Sequence, residues 1–175
     1  MRRVLICSWV LVLAAIPFFG QTDEWKRHKN VEGNFTVLFP GDPEDSVNKN
    51  DSDVQSHTLM LMQRPYVYTV VYSAMTSAQK VDDATYEIFK TAVFKELPKC
   101  DVDAERPPAP AISGYVGHWY HLSCEMPNTK VTILGNLYWG KHYAYAVMVM
   151  FPASAAAPQT TNKFLQSFGI IDQGK

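Results

Sequence analysis

The chain has 175 residues, of which 47% are apolar, 13% aromatic and 19% charged, with a formal net charge of −1. That balance excludes a disordered or fibrous polymer, and the length allows one domain. Near-zero charge also removes the bulk electrostatic argument for nucleic acid or anionic lipid as a partner.

Met1-Arg2-Arg3 leads into an uncharged apolar run from Val4 to Ile16, followed by Pro17 and Gly20. The run falls short of the roughly 20 apolar residues that a spanning helix needs. It predicts a secretory signal peptide over residues 1–20, with an uncleaved N-terminal anchor helix as the alternative. Gly20 suits the residue before the cut, and Ala15 offers an earlier one. Cys7 lies inside the run, so no lipid-attachment cysteine follows it. No later segment approaches membrane-spanning length, and the remainder is expected to be secreted or periplasmic. Residues 21–33 then read as a polar lead-in, and residues 34–172 as a single globular domain.

Within that domain, Phe35, Val37 and Phe39 alternate on one face of a short strand that Pro40-Gly41-Asp42-Pro43 ends. Residues 44–53 are polar and acidic, a surface loop. Residues 54–63 and 66–73 read as two strands joined by a turn at Arg64-Pro65. The period then changes. Ile88, Phe89, Ala92, Val93 and Leu97 form a helical stripe that starts at the N-cap Asp82 and stops at Pro98. Residues 98–113 carry Pro107-Pro108-Ala109-Pro110 and read as a spacer, with a brief edge strand at 102–105. The other reading of this stretch is a mobile rim over a binding face.

Three strands follow, at residues 115–125, 130–139 and 142–151, with Gly140-Lys141 expected as a two-residue hairpin turn. The last strand is apolar on both faces, which predicts a central strand covered on both sides. A second helix is expected at about residues 156–168, with Phe164, Leu165 and Phe168 inward. The coarse order is β-β-β-α twice. It predicts an α+β fold: an antiparallel sheet of about six strands flanked by helices in a layered sandwich.

Two cysteines, Cys100 and Cys124, remain after the leader. In an oxidising compartment such a pair reads as a disulfide, the alternative being two buried thiols.

Phe35-Thr-Val-Leu-Phe-Pro-Gly-Asp-Pro43, together with Lys163-Phe-Leu-Gln-Ser-Phe168, resembles a pattern in small exported bacterial proteins of the PsbP-like and LpqN type. The resemblance covers about residues 31–171. It implies an antiparallel sheet between helices and brings no catalytic set with it.

Signatures of catalysis are poor. Gly135 to Lys141 matches G-x-x-x-x-G-K, but His142 follows and the stretch reads as strand, so a phosphate loop is rejected. His118 and His121 differ in strand parity and point to opposite faces, which separates them as metal ligands even with His142 nearby. Asp82-Asp83 is explained by helix capping. There is no G-x-S-x-G elbow, and no cofactor motif is found. Asn34 and Asn50 match glycosylation acceptors, which matter only in a eukaryotic secretory host.

What is left over is the aromatic load on adjacent strands. Most of it is expected in the core; Tyr115, Trp119, Tyr138 and Tyr143 form a candidate patch for a ligand or partner. The reading is an exported, non-catalytic binding or accessory protein for an unknown protein or small molecule. The alternative is a small secreted hydrolase with an unrecognised His/Asp/Ser site. A structural envelope component is not separable from the first by sequence.

Overall fold

The computed structural model describes residues 24–49, 55–75, 78–97, 99–127 and 129–171. The leader over residues 1–20, its cut, and Asn50 lie outside them. The elements in chain order are β1 (Lys26–Asn30), β2 (Phe35–Phe39), β3 (Glu44–Lys49), β4 (Gln55–Gln63), β5 (Tyr66–Ala74), α1 (Asp83–Glu96) and β6 (Lys99–Arg106). Then come β7 (Tyr115–Met126), β8 (Thr129–Gly140), β9 (Tyr143–Pro152), α2 (Thr161–Ser167) and β10 (Gly169–Ile170).

These strands build two antiparallel sheets. The larger has seven strands in the order β3-β4-β5-β9-β8-β7-β6; the smaller has three, β1-β2-β10. Strand β9 is the middle of the seven, and it is covered on both faces, as its two apolar sides require. One of those faces is closed by the small sheet. Phe35, Val37 and Phe39 of β2 are fully buried and meet Tyr68, Tyr72 and Tyr145 of the large sheet, together with Phe164, Leu165 and Phe168. The Tyr145 hydroxyl donates to the Gly33 carbonyl at 2.8 Å, and Leu38 N–H donates to Ser167 Oγ at 2.8 Å, tying both sheets and α2 together. Among the described residues, α1 is the one helix on the opposite face, and the segment before it is held there by Trp139 Nε1, which donates to the Lys80 carbonyl at 3.0 Å.

The expected α+β fold of about six strands flanked by helices is therefore wrong. The protein is mostly β, and its principal packing is sheet on sheet. Helix α2 has seven residues, too few to cover a sheet face, and the small sheet takes that place. The β-β-β-α duplication also disappears, because β1, β3 and β10 are additional strands and β3 replaces much of the expected 44–53 loop.

Other corrections are local. The hairpin between β8 and β9 pairs Trp139 with Ala144, so Lys141 and His142 form its loop and Gly140 stays in the strand. Gly140 is there for space: a Cβ would run into the ring of Tyr115, its cross-strand partner. Helix α1 begins at Asp82 as expected, with Asp82 accepting from Thr85 N–H at 2.9 Å in a capping box. Its stripe, however, is rotated. Ile88 is 72% exposed and Tyr86 is buried instead, because Tyr86 has a hydroxyl partner beneath the helix. Helix α2 starts at Thr161, five residues later than expected at 156.

Cys100 and Cys124 are bonded to each other. They are directly opposed in the β6–β7 register with Cα atoms 4.0 Å apart, so the bridge fastens the edge strand β6 to its neighbour.

A half-covered sheet face as the candidate functional site

The site grows out of where α1 lies. Its Tyr86 hydroxyl is 2.9 Å from the Tyr120 hydroxyl on β7, Phe94 packs edge-on to Tyr120, and Phe89 lies 5.2 Å from Trp139 on β8. These contacts hold the helix over β7 and β8. The sheet is seven strands wide, at roughly 4.8 Å per strand, and one helix about 10 Å across cannot cover it. The β4-β5-β9 half of the same face is left with a groove of about 410 Å³ beside the helix. That volume is in the range of small-molecule sites.

Strand register sets the groove's chemistry. Phe89, Ala92, Val93 and Leu97 of α1 form one wall, and β4, β5 and β9 form the floor. Across the floor, Ser56 pairs with Ser73 and Ser73 with Ala144. The next row is Thr58, Val71 and Ala146, and the one after is Met60, Thr69 and Met148. Beyond it lie Met62, Val67 and Met150. The floor thus runs from hydroxyls and small side chains at one end to methionines, with Thr69 among them, at the other. Among the described residues, none of the lining side chains is charged. Met62 is 61% exposed and Met60 38%, an apolar margin open to solvent.

The aromatic patch expected from sequence is on the other face. Tyr138 is fully buried, stacks on Phe168 at 5.5 Å and donates its hydroxyl to the Pro110 carbonyl at 2.8 Å. Asn136 Nδ2 donates to the Ala109 carbonyl at 3.2 Å, so two side chains strap the Pro-rich segment over the aromatic layer. Tyr115 and Tyr143 are half-buried and pack on Tyr145, at 5.8 and 6.0 Å between ring centres. Trp119 is half-buried under the Arg106 guanidinium, 4.0 Å from its ring centre. Burial raises the phenol pKa of Tyr115, Tyr138 and Tyr145. These rings share one face but present no joint open surface.

Two polar clusters bear on catalysis. On the α1 side, Glu105 accepts from the Tyr120 hydroxyl at 3.0 Å and contacts His118 Nδ1, while Tyr86 stacks on His118. This chain of groups joins α1, β7 and β6, and it contains no nucleophile of the Ser, Cys or Thr type. On the opposite face, Ser123 Oγ donates to Asp103 Oδ2 at 2.6 Å, and His121 Nε2 is 3.5 Å from that same oxygen. Serine, aspartate and histidine do meet here, but the carboxylate is in the middle. A nucleophilic hydroxyl needs the imidazole next to it as base, with the carboxylate behind the imidazole. Strand alternation from Asp101, the partner of Ser123, puts Asp103 on the face of His121 and Ser123, and the bulge that follows Val102 brings Glu105 opposite Tyr120 on the α1 side. His118 and His121 point to opposite faces, and among the described residues no three His, Cys, Asp or Glu side chains are grouped to hold a metal ion.

Sequence reading missed Ser56, Thr58, Ser73 and the α1 wall. The available signal was the small-residue side of β9, Ala144 and Ala146 beside Met148 and Met150. Among the described residues, no helix is long and apolar enough to cross a membrane. Comparison with known proteins found no family model that matches this chain and no match among the curated proteins.

Proposed function

We propose that this chain is an extracytoplasmic, non-catalytic binding protein whose ligand lies in the groove between α1 and strands β4, β5 and β9. The carrying observation is the groove itself: about 410 Å³, uncharged, floored by small side chains and bordered by exposed methionines. Methionine is a flexible apolar residue suited to adaptable contact surfaces. The disulfide and the apolar leader support a location outside the cytoplasm. Kinship with PsbP-like and LpqN-type proteins is part of the same reading. Its support is that the two motifs behind the resemblance pack together, Phe39 on Phe164 and Phe35 on Phe168.

The test is saturable binding of the neutral dye N-phenyl-1-naphthylamine by the secreted chain, followed by fluorescence. Ala92 is exposed on α1 and lines the groove, so Ala92→Trp fills the site from its outer wall without entering the core. Dye binding by the native chain and its loss in Ala92→Trp are expected. No dye binding by the native chain, or ester turnover that Ser123→Ala abolishes, would overturn the proposal.

A further inference from the structure

We infer that the groove takes an uncharged amphiphile, one apolar chain with a hydroxyl-bearing head, and that the head lies over Ser56, Ser73 and Thr58. The inference rests on the binding function proposed above. Three hydroxyls face this groove within two adjacent cross-strand rows. None of the three hydroxyls has a hydrogen-bond partner among the described residues. A purely apolar ligand would strip water from these hydroxyls and offer nothing in exchange, which costs free energy for each group left unpaired. A carboxylate or phosphate head would satisfy them but would itself be desolvated beside a lining whose described residues hold no counter-charge. A cationic head faces the same difficulty, since no carboxylate of the described residues lines the groove. A neutral head that both donates and accepts is the remaining fit.

The direction of the chain follows from the rows. From the Ser56–Ser73 pair the floor passes through Val71 and Ala146 to the row of Met60, Thr69 and Met148, and then to Met62, Val67 and Met150 on the same face. Six residues of strand separate Ser56 from Met62, about 20 Å of floor. An extended acyl chain leaving the hydroxyl end therefore meets mainly apolar side chains, Thr69 excepted, of increasing length and flexibility. The wall of Phe89, Val93 and Leu97 flanks the part of this floor from Ser56 and Ser73 to Met148.

The experiment is displacement of N-phenyl-1-naphthylamine from the native chain by 1-decanoylglycerol, decanoate and decyltrimethylammonium, each below its micellar concentration and at a pH where decanoate is ionised. The glyceride is expected to displace dye at concentrations about tenfold lower than either ion, a difference of about 1.4 kcal/mol. In Ser56→Ala/Ser73→Ala that preference should shrink to a few-fold. Thr58→Val gives a second, isosteric variant with the same expectation. Equal or better displacement by an ion, or an undiminished glyceride preference in the hydroxyl variants, would overturn the inference and leave the binding function standing. Failure of the native chain to bind dye would remove both.

Discussion

Tyrosine hydroxyls do much of the joining in this molecule. Tyr145 reaches the β1–β2 turn at Gly33, Tyr138 holds the Pro-rich segment at Pro110, and Tyr86 joins α1 to Tyr120. Each phenol pKa is raised above its ordinary value of 10.0, chiefly by burial. For Tyr120 the hydrogen bond with Tyr86 and the neighbouring Glu105 carboxylate add to burial. The folded state thus prefers the neutral phenol, so its stability is complete below about pH 10 and declines as pH rises above it, where the unfolded chain ionises first. A spectrophotometric titration should show these four phenols ionising together with loss of near-ultraviolet circular dichroism, and smooth ionisation of a still-folded chain would refute the assignment. Backbone approach makes a second residue-scale demand. Gly117 lies so close to β8 that a Cβ would strike the Leu137 carbonyl oxygen and crowd the Tyr138 ring. Gly117→Ala should destabilise by about 1–3 kcal/mol, as overpacking does, measured by urea unfolding.

At the scale of elements, local chemistry and tertiary packing divide the work. Helix α1 is specified locally at its start. Lys80 and the Thr85 N–H and hydroxyl hold the Asp82 carboxyl down to about 2 from its ordinary 3.8. A depressed carboxylate contributes stability above its unfolded pKa and loses it as pH falls toward the folded value, here between about pH 4 and 2. Acid unfolding of the native chain should carry this dependence, and Asp82→Asn should flatten it while keeping a cap; an unchanged acid limb would refute it. Strand β6 is the contrary case, an exposed edge whose attachment is covalent. Reduction of Cys100–Cys124, separated by 24 positions, or Cys100→Ser/Cys124→Ser should lower stability by roughly 3.5 kcal/mol in urea titrations, the chain-entropy value for such a loop. The legibility of elements follows the same division. Strands β2, β4, β5, β7, β8 and β9 carry alternating apolar residues, and the sequence shows them. Strands β1 and β3, with sequences KRHKN and EDSVNK, are polar edge strands held by backbone pairing, and no hydrophobic period marks them. The helix stripe was misplaced because Ile88 outranks Tyr86 in apolarity, while the Tyr120 hydroxyl that decides the rotation is 34 residues away. The groove was invisible for a related reason. Ser56, Ser73 and Ala144 become one row only through the β4-β5-β9 register, and the open space depends on which half of the sheet α1 covers.

Across the whole molecule, the two faces of the seven-stranded sheet have different tasks. The face beneath β1-β2-β10 is filled by aromatic rings and closed by that sheet and α2; the face beneath α1 is half open. Phe168 tests whether the faces are independent. It is 2% exposed and touches Phe35 at 5.5 Å, Tyr138 at 5.5 Å and Tyr145 at 5.1 Å, so it joins the small sheet, β8 and β9 at one point. Phe168→Ala removes a ring that neighbours on three elements cannot collapse to replace, and should cost about 3–5 kcal/mol in urea or thermal unfolding. A domain holding about 5–15 kcal/mol in total remains folded after such a loss at low temperature. Dye affinity below the melting transition should then equal that of the native chain, because Ser56, Ser73 and Met148 project from the opposite face of the sheet. Loss of dye binding by a still-folded Phe168→Ala would mean that β9, shared by both faces, transmits packing defects through its backbone into the groove floor. Retained binding would mean that the aromatic layer acts as a rigid support and that the groove can be altered without disturbing it.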